Sequence, residues 1–191
     1  MNSWLTIPMA RAFISCEIDN HELISTILNF EKERLGDIAG VRPVPAQNLH
    51  FTLAFLGEQR EETLSAAATI LLDVPVKPEK VTVEGVDAFP SRERPRVVVL
   101  RTTRGSDALV ALANHIRERL AEKGIWFDRK PFIPHMTVAR VSRGSDELMH
   151  LIRDEERTRF GDFVMERVAL KRSTLLPSGA VYDTLQEGVL K

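Results

Sequence analysis

The chain contains two copies of a four-residue pattern in which a histidine precedes a threonine by two positions. The first copy is HFTL at residues 50–53 and the second is HMTV at residues 135–138, so the two histidines are 85 positions apart. Side chains alternate between the two faces of an extended strand, which places a His at i and a Thr at i+2 on one face, roughly 7 Å apart. Each copy therefore predicts a strand that presents one imidazole beside one hydroxyl.

The opposite face of each strand is expected to be apolar. The residues that predict it are Leu49, Phe51, Leu53 and Phe55 in the first copy, and Ile133, Met136 and Val138 in the second. A strand of this kind packs its apolar face on the core and leaves the other face accessible. Two accessible faces opposite each other would bring two titratable groups and two hydroxyl groups together.

Two facing imidazoles can perform acid–base catalysis. Histidine titrates near neutral pH, so one of His50 and His135 can accept a proton while the other donates one. Such a pair can activate water and protonate a leaving oxygen, which serves phosphoester hydrolysis without a metal ion. The hydroxyl groups of Thr52 and Thr137 can donate hydrogen bonds to phosphate oxygens. Arg140, five residues after His135, supplies a guanidinium group suited to phosphate.

Each of these residues also has an interpretation without catalysis. A strand His is commonly a surface residue or a hydrogen-bonded core residue, Thr is favoured in strands, and Arg140 can be a solvated strand end. The occurrence of the motif on two apolar strands favours the catalytic interpretation. A metal site would need a third ligand, and neither motif has an adjacent acidic residue. We therefore predict neither a metal ion nor another cofactor.

The composition is that of an ordinary globular protein. A chain of 191 residues suits one domain, or two small lobes that share a core. The net charge of −1 creates no overall field for nucleic acid, so affinity for a polyanion has to come from a local cluster. The single cysteine, Cys16, excludes an intramolecular disulfide and is expected to be a buried, inert thiol, in agreement with a reducing cytoplasm. No apolar stretch approaches the ~20 residues that span a bilayer, so no membrane association is expected.

Hydrophobic periodicity predicts an alternation of strands and helices. In the first part of the chain, strands are expected at residues 9–18, 41–44 and 81–89 and in a His-Thr strand that ends at Gly57, with helices at 21–35 and 61–72. In the second part, strands are expected at 96–102, 126–129, 134–141, 163–172 and 181–190, with helices at 107–123 and from Ser145 onwards. Gly124 and Ser145 are expected to cap helices, and residues 177–179 to form the last turn.

The order strand, helix, strand, strand, helix, strand occurs twice in this prediction, with a His-Thr strand at the same place each time. We therefore predict a single domain built of two duplicated halves, at about residues 9–90 and 95–190. Pseudo-twofold symmetry between the halves would bring the two His-Thr strands to a shared groove. The alternative is a coincidence of order in an α+β chain.

Basic residues gather in several places despite the near-neutral total. They are Arg92, Arg94, Arg96, Arg129, Lys130, Arg140, Arg143, Lys171 and Arg172. If several of them line the groove, they would bind an RNA backbone through its phosphates, with an affinity that falls with salt. The alternative is that they are solvated surface residues. Trp126 and Phe132 could stack on a base, although packing in the core is the more common role.

The segments HFTLAFLG and PHMTVAR, with RAFISCEID near the start and KRSTLLPSGAVYDTL near the end, resemble the 2H phosphoesterase superfamily. Within it, the chain is most similar to the RNA 2′,3′-cyclic phosphodiesterases, also called 2′-5′ RNA ligases. The resemblance covers nearly the whole chain and implies a bilobal α+β fold, with two antiparallel sheets around a central cleft and helices outside. It also implies that a 2′,3′-cyclic phosphate on an RNA end is opened to a 2′-phosphate without metal or nucleotide cofactor.

By match to the two motifs, the resemblance implies that His50 donates a proton to the leaving 3′ oxygen and that His135 activates water. Thr52, Thr137 and Arg140 would contact the phosphate, and some members of the family also join RNA ends through a 2′-5′ linkage. The expected partner is RNA, and the protein is expected to be a cytoplasmic monomer. Two alternatives stay open: hydrolysis of a small cyclic nucleotide or an ADP-ribose cyclic phosphate, and a nucleotide- or RNA-binding module without catalysis.

Overall fold

The structure is a computed structural model that describes residues 9–177 and 179–191. Its strands are β1 (Met9–Glu17), β2 (Val41–Pro43), β3 (His50–Arg60), β4 (Glu79–Phe89), β5 (Val97–Thr102), β6 (His135–Val141), β7 (Arg159–Met165), β8 (Arg167–Leu176) and β9 (Gly179–Val189). Its helices are α1 (His21–Phe30), α2 (Glu61–Ala68), α3 (Ser106–Glu122) and α4 (Asp146–Asp154). A π-helical turn, Glu31–Leu35, continues α1, and 3₁₀ turns occupy Ala46–Asn48 and Thr69–Leu72.

The strands form one curled antiparallel sheet in the order β7-β4-β5-β6-β3-β1-β8-β9, with β2 beside β6. Strands β3, β1, β8 and β9 make one lobe, and strands β6, β5, β4 and β7 make the other. Between the lobes, β3 and β6 are in register only at Phe51 and Met136 among the described residues. Beyond this pair the two strands separate, and this separation opens a cleft. The α+β bilobal prediction is confirmed.

The lobes of the sheet do not coincide with the two parts of the chain. Strand β4 comes from the first part but pairs with β5 and β7, whereas β8 and β9 come from the second part and extend the sheet from β1. Each part therefore contributes strands to the other lobe, and the buried side chains of both form one contiguous core. A duplication with halves at residues 9–90 and 95–190 stays a prediction.

Helices α1 to α4 pack on the sheet through the apolar positions that periodicity predicts. Helix α1 packs on β7, α2 on β1 and β3, α3 on β3, and α4 on β4. In α3, the buried residues recur at helical spacing: Leu109, Leu112, Ala113, Ile116 and Leu120. None of the helices among the described residues is long and apolar enough to cross a membrane.

The predicted caps are present at the ends of the helices. The side chain of Ser145 accepts a hydrogen bond from the Leu148 N–H at the start of α4. Gly124 follows α3 with a φ of 66°, the left-handed conformation that glycine adopts without strain. The predicted helix at residues 21–35 is helical throughout, but its last five residues widen into the π-helical turn. Of the predicted turn at 177–179, Ser178 lies outside the described residues.

Three predicted boundaries are wrong. The first His-Thr strand continues through Gly57 to Arg60, because Gly57 takes a φ of 66° at an irregularity in the pairing with β1 instead of ending the strand. Residues 126–129 form no strand: Asp128 donates one backbone hydrogen bond to Phe55 (2.9 Å), and no ladder follows. The predicted strand at 163–172 is two strands divided at Glu166, because the chain crosses there from one lobe to the other.

The prediction that Phe55 lies on the apolar face of its strand is also wrong. In the pairing with β1, Thr52 lies opposite Ser15 and Ala54 lies opposite Ile14, so β3 contains one extra residue between them. Such a bulge reverses the alternation of side chains beyond it. Phe51 and Leu53 are therefore buried in the core as expected, whereas Phe55 is only half-buried and lies on the same face as the His-Thr pair.

Candidate active site

The antiparallel contact between β3 and β6 brings the two His-Thr pairs to one place. Phe51 and Met136 lie opposite each other and are fully buried, so their neighbours along each strand point to the other face of the sheet. Because the strands run in opposite directions, His50 lies towards Thr137, and His135 lies towards Thr52. The two imidazoles are thus placed diagonally across the junction of the lobes.

The five residues singled out in the sequence line one cavity of about 390 Å³. They are His50, Thr52, His135, Thr137 and Arg140. Arg42 from β2 and Tyr182 from β9 also line it, and no aspartate or glutamate does so among the described residues. A cavity bordered by guanidinium groups, hydroxyls and imidazoles, without carboxylates, has the charge and hydrogen-bond donors that a phosphate anion requires.

Backbone carbonyl groups orient both imidazoles in the same way. His50 Nδ1 lies 2.8 Å from the Asn48 carbonyl oxygen, and His135 Nδ1 lies 2.7 Å from the Ile133 carbonyl oxygen. A carbonyl oxygen only accepts, so each Nδ1 carries a hydrogen and donates it. In the neutral ring Nε2 is then the unprotonated nitrogen. The same contact, with the carbonyl two residues earlier, occurs in both motifs and leaves Nε2 to exchange protons.

The hydroxyl of Thr52 contacts the reactive nitrogen of its own motif. Thr52 Oγ1 lies 3.0 Å from His50 Nε2, so in the neutral ring the hydroxyl donates to this nitrogen. The contact confirms that His50 and Thr52 share one face of β3. When His50 gains a proton, Nε2 becomes the donor and the hydroxyl can turn towards a ligand.

Aromatic rings hold the two imidazoles in place. The His50 ring stacks on Phe13, with ring centroids 4.8 Å apart, and Tyr182 meets it edge-on at 5.6 Å. The His135 ring meets Phe89 edge-on, with centroids 4.8 Å apart. These contacts limit rotation of each ring, which favours a fixed direction for proton transfer.

Burial lowers the pKa of both histidines. For His50, burial is the main cause and the positive charge of Lys171 adds to it, while Glu17 acts in the opposite direction, and the pKa falls from 6.5 to about 4. The pKa of His135 is also lowered by burial, and its hydrogen bond to Ile133 opposes this effect. In the free protein at pH 7 both imidazoles are therefore neutral.

A largely buried ion pair beside His50 was not identified from the sequence. Lys171 Nζ lies 2.6 Å from Glu17 Oε2, and the Ser15 hydroxyl donates to Glu17 Oε1 at 2.6 Å. Glu17 is opposite His50 in the pairing of β1 with β3, and only 6% of Lys171 is exposed. A signal was present in the sequence, because Phe13, Ser15 and Glu17 alternate with the apolar residues of β1 and so share its cleft face.

Most of the other basic residues lie away from the cavity. Arg92 is held by Asp87 (2.8 Å), and Arg129 lies over the Phe127 ring (4.2 Å). Among the basic residues considered for RNA binding, only Arg140 lines the cavity. Trp126, whose exposed fraction is 57%, is outside it as well.

Cys16 is fully buried as expected, and burial raises the pKa of its thiol, which disfavours the reactive thiolate. Within residues 9–177 and 179–191, no three His, Cys, Asp or Glu side chains are grouped as a metal site requires.

The family model described as LigT-like phosphoesterase matches residues 26–99 and 102–182. A relative from Archaeoglobus fulgidus, described as an RNA 2′,3′-cyclic phosphodiesterase, is 36% identical over 178 residues, which are 92% of this chain and 98% of the relative. A Methanocaldococcus jannaschii protein with the same description is 28% identical over 93% of this chain and 99% of its own length.

Two solved structures share the fold over most of both chains. The protein TT0787 of Thermus thermophilus is 27% identical with a TM-score of 0.78, over 94% of this chain and 97% of that one. Escherichia coli LigT in complex with 3′-AMP is 25% identical with a TM-score of 0.77, over 96% and 99%. The chain belongs to the LigT-like phosphoesterase family.

Proposed function

We propose that this protein hydrolyses 2′,3′-cyclic phosphate ends of RNA to 2′-phosphates, without a metal ion, by a two-histidine mechanism. The observation that carries the proposal is that both histidines line one cavity whose other polar groups suit a phosphate, while each Nδ1 is held by a backbone carbonyl and Nε2 is left for proton transfer. The names of the relatives point to the same substrate. The nucleotide bound to E. coli LigT supports a nucleotide ligand.

In the proposed reaction, His135 Nε2 accepts a proton from a water molecule, whose oxygen forms a bond to phosphorus. The bond between phosphorus and O3′ breaks, and His50 Nε2–H donates its proton to O3′, so the phosphate stays on O2′. The diagonal placement of the two imidazoles suits attack and departure on opposite sides of phosphorus. Thr52, Thr137 and Arg140 donate hydrogen bonds to the phosphate oxygens, whose charge they balance.

The lowered pKa of His50 requires that the substrate itself restores its proton. A cyclic phosphodiester carries one negative charge, and a unit charge about 4 Å away stabilises an imidazolium by about 4 kcal/mol at an effective dielectric constant near 20. This corresponds to about 3 pKa units, which offsets the lowering by burial and Lys171. His50 is thus a proton donor in the complex although it is neutral in the free protein.

The same groups can run the reaction with a 5′-hydroxyl in place of water. Attack of that oxygen on phosphorus, with departure of O3′, joins two RNA ends through a 2′-5′ linkage. Joining of RNA ends is therefore part of the proposed activity. We also propose that the protein is cytoplasmic and monomeric.

The decisive test is an end-group assay on an oligoribonucleotide with a 2′,3′-cyclic phosphate. We expect a 2′-phosphate product and full turnover in excess chelator. His50→Ala and His135→Ala should each lose about 10²–10⁴-fold in kcat. His150→Ala, at an exposed position of α4, is the matched control and should retain activity. A 3′-phosphate product, or near-normal turnover of either cavity variant, contradicts the proposal.

One observation favours a second candidate, hydrolysis of a small cyclic nucleotide. The cavity of about 390 Å³ is lined by residues of both lobes and is of a size for a single nucleotide. Comparing a mononucleotide 2′,3′-cyclic phosphate with an oligonucleotide that ends in the same group separates the two. Equal kcat/KM without salt dependence would favour the small substrate.

A further inference from the structure

The cleft has a second arm beyond the cavity that contains the two histidines. This arm, which we call the Phe55 arm, has a volume of about 500 Å³ and shares His50, Thr52, Arg140 and Tyr182 with the first cavity. It is also lined by Arg11 and Phe55 from β1 and β3, and no carboxylate lines it among the described residues. A phosphate at the histidines would therefore lie where two arms meet.

The bulge in β3 is what gives this arm its aromatic wall. Regular alternation would place Phe55 in the core with Phe51 and Leu53, but the extra residue before Ala54 places it opposite Phe13 on the cleft face. Bulges that direct a side chain in this way are frequent beside active sites. Half-buried Phe55 thus presents a ring to the cleft instead of filling the core.

Arg11 adds a cation to the same wall. Its guanidinium carbon lies 4.9 Å from the centroid of the Phe55 ring. Among the described residues, no carboxylate lies within ion-pair distance of Arg11, although Glu58 lies opposite it in the pairing of β1 with β3. An aromatic ring beside a guanidinium group without an ion pair is suited to the base and the phosphodiester of one nucleotide.

We infer that the Phe55 arm binds the nucleotide that precedes the cyclic-phosphate end, with Phe55 contacting its base and Arg11 its phosphodiester. This inference rests on the proposed function, since it places the terminal nucleoside in the first cavity and the reacting phosphate at the junction. The preferred substrate is then an oligonucleotide of at least two nucleotides.

The inference is tested by comparing a dinucleotide and a mononucleotide that both end in a 2′,3′-cyclic phosphate. Stacking on an aromatic residue contributes about 1–3 kcal/mol per base, so the dinucleotide should have a kcat/KM about 5–150-fold higher. Phe55→Leu should remove most of this preference and leave mononucleotide turnover unchanged. Phe55→Trp, which keeps a ring, should retain it.

Arg11→Gln should also weaken binding of the dinucleotide but not of the mononucleotide. It should reduce the salt dependence of dinucleotide binding by about one phosphate contact. The matched control is Arg129→Gln, because Arg129 lies over the Phe127 ring in a similar pair outside the cleft. This variant should leave kcat/KM unchanged for both substrates. Equal losses on both substrates, or an unchanged dinucleotide preference in Phe55→Leu and Arg11→Gln, overturn the inference.

Binding separates this inference from the proposed reaction. Titration calorimetry with a dinucleotide that ends in a 3′-phosphate measures binding to the Phe55 arm without any turnover. If this ligand binds the wild type more tightly than Phe55→Leu, and no cyclic phosphate is opened, the arm is supported and the proposed hydrolysis fails. If cyclic phosphates are opened but this ligand binds both proteins equally, the proposed hydrolysis stands and the arm is refuted.

Discussion

The buried pair of Glu17 and Lys171 should control the protonation of His50. Lys171 lowers the pKa of this imidazole and Glu17 raises it, while burial causes the largest part of the lowering. Lys171→Met removes a positive charge, so the imidazolium is repelled less and the pKa of His50 should rise. Glu17→Gln removes the opposing negative charge, so the pKa should fall further. The double variant should lie between the two.

The expected change in the pKa of His50 follows from the positions of Glu17 and Lys171. The pKa of His50 falls from 6.5 to about 4, a difference of about 2.5, which corresponds to about 3.5 kcal/mol. Glu17 lies opposite His50 on the neighbouring strand and holds Lys171 at 2.6 Å. A unit charge roughly 8 Å away contributes about 2 kcal/mol at an effective dielectric constant near 20. Since water screens part of this, we expect each single variant to move the pKa by about 1.

The assay is an imidazole NMR titration of the free protein, repeated with bound inorganic phosphate. The other groups that face His50 are His135, Tyr182 and Arg140, and they are present in every variant. His135 is titrated in the same spectra as an internal control. Phosphate should raise the pKa of His50 in the wild type. The reasoning is refuted if His50 in the free protein titrates at its ordinary value near 6.5, or if both single variants leave it unchanged.

Three further outcomes are expected from single substitutions. Thr52→Val removes the hydroxyl that contacts His50 Nε2 and should lower kcat/KM about 100-fold, whereas Thr52→Ser should not; equal rates in the end-group assay would contradict the role. Burial raises the pKa of Glu31 to about 8, so the folded state keeps a proton that the unfolded chain releases, and stability is lost as the pH rises from about 4.5 to 8. The full shift corresponds to at most about 5 kcal/mol, and partial screening by water reduces it, so Glu31→Gln should raise the free energy of unfolding by about 2–3 kcal/mol at pH 8 and much less at pH 5, measured by urea titration. Gly57→Ala should destabilise by about 1–2 kcal/mol in the same experiment, because φ is 66° and the added Cβ would lie 3.2 Å from the Trp126 ring; unchanged stability would show that the backbone relaxes.

The positions of the catalytic candidates could be predicted because they depend on local geometry. In a strand, His50 and Thr52 share a face whatever the rest of the chain does, and the same holds for His135 and Thr137. The stripe of α3 and the Ser145 cap are equally local. The resemblance to 2H phosphoesterases added the bilobal arrangement. The family match confirms the resemblance, and the strand order confirms the arrangement.

Features that depend on pairing between strands could not be predicted. The periodicity of residues 163–172 is the same whether they form one strand or two, and only the crossing at Glu166 divides them. The bulge that turns Phe55 into the cleft depends on the register between β1 and β3. This register cannot be predicted from the sequence of one strand alone.

The sequence alone determined which side chains are available for chemistry and which of them share a strand face, since alternation is a property of the extended backbone. The tertiary structure decided what surrounds them. It brings two distant strands into contact at Phe51 and Met136 and buries His50, and this burial, with the charge of nearby Lys171, lowers the pKa of that imidazole. Burial and electrostatic effects depend on distances between segments far apart in the chain, and folding sets those distances.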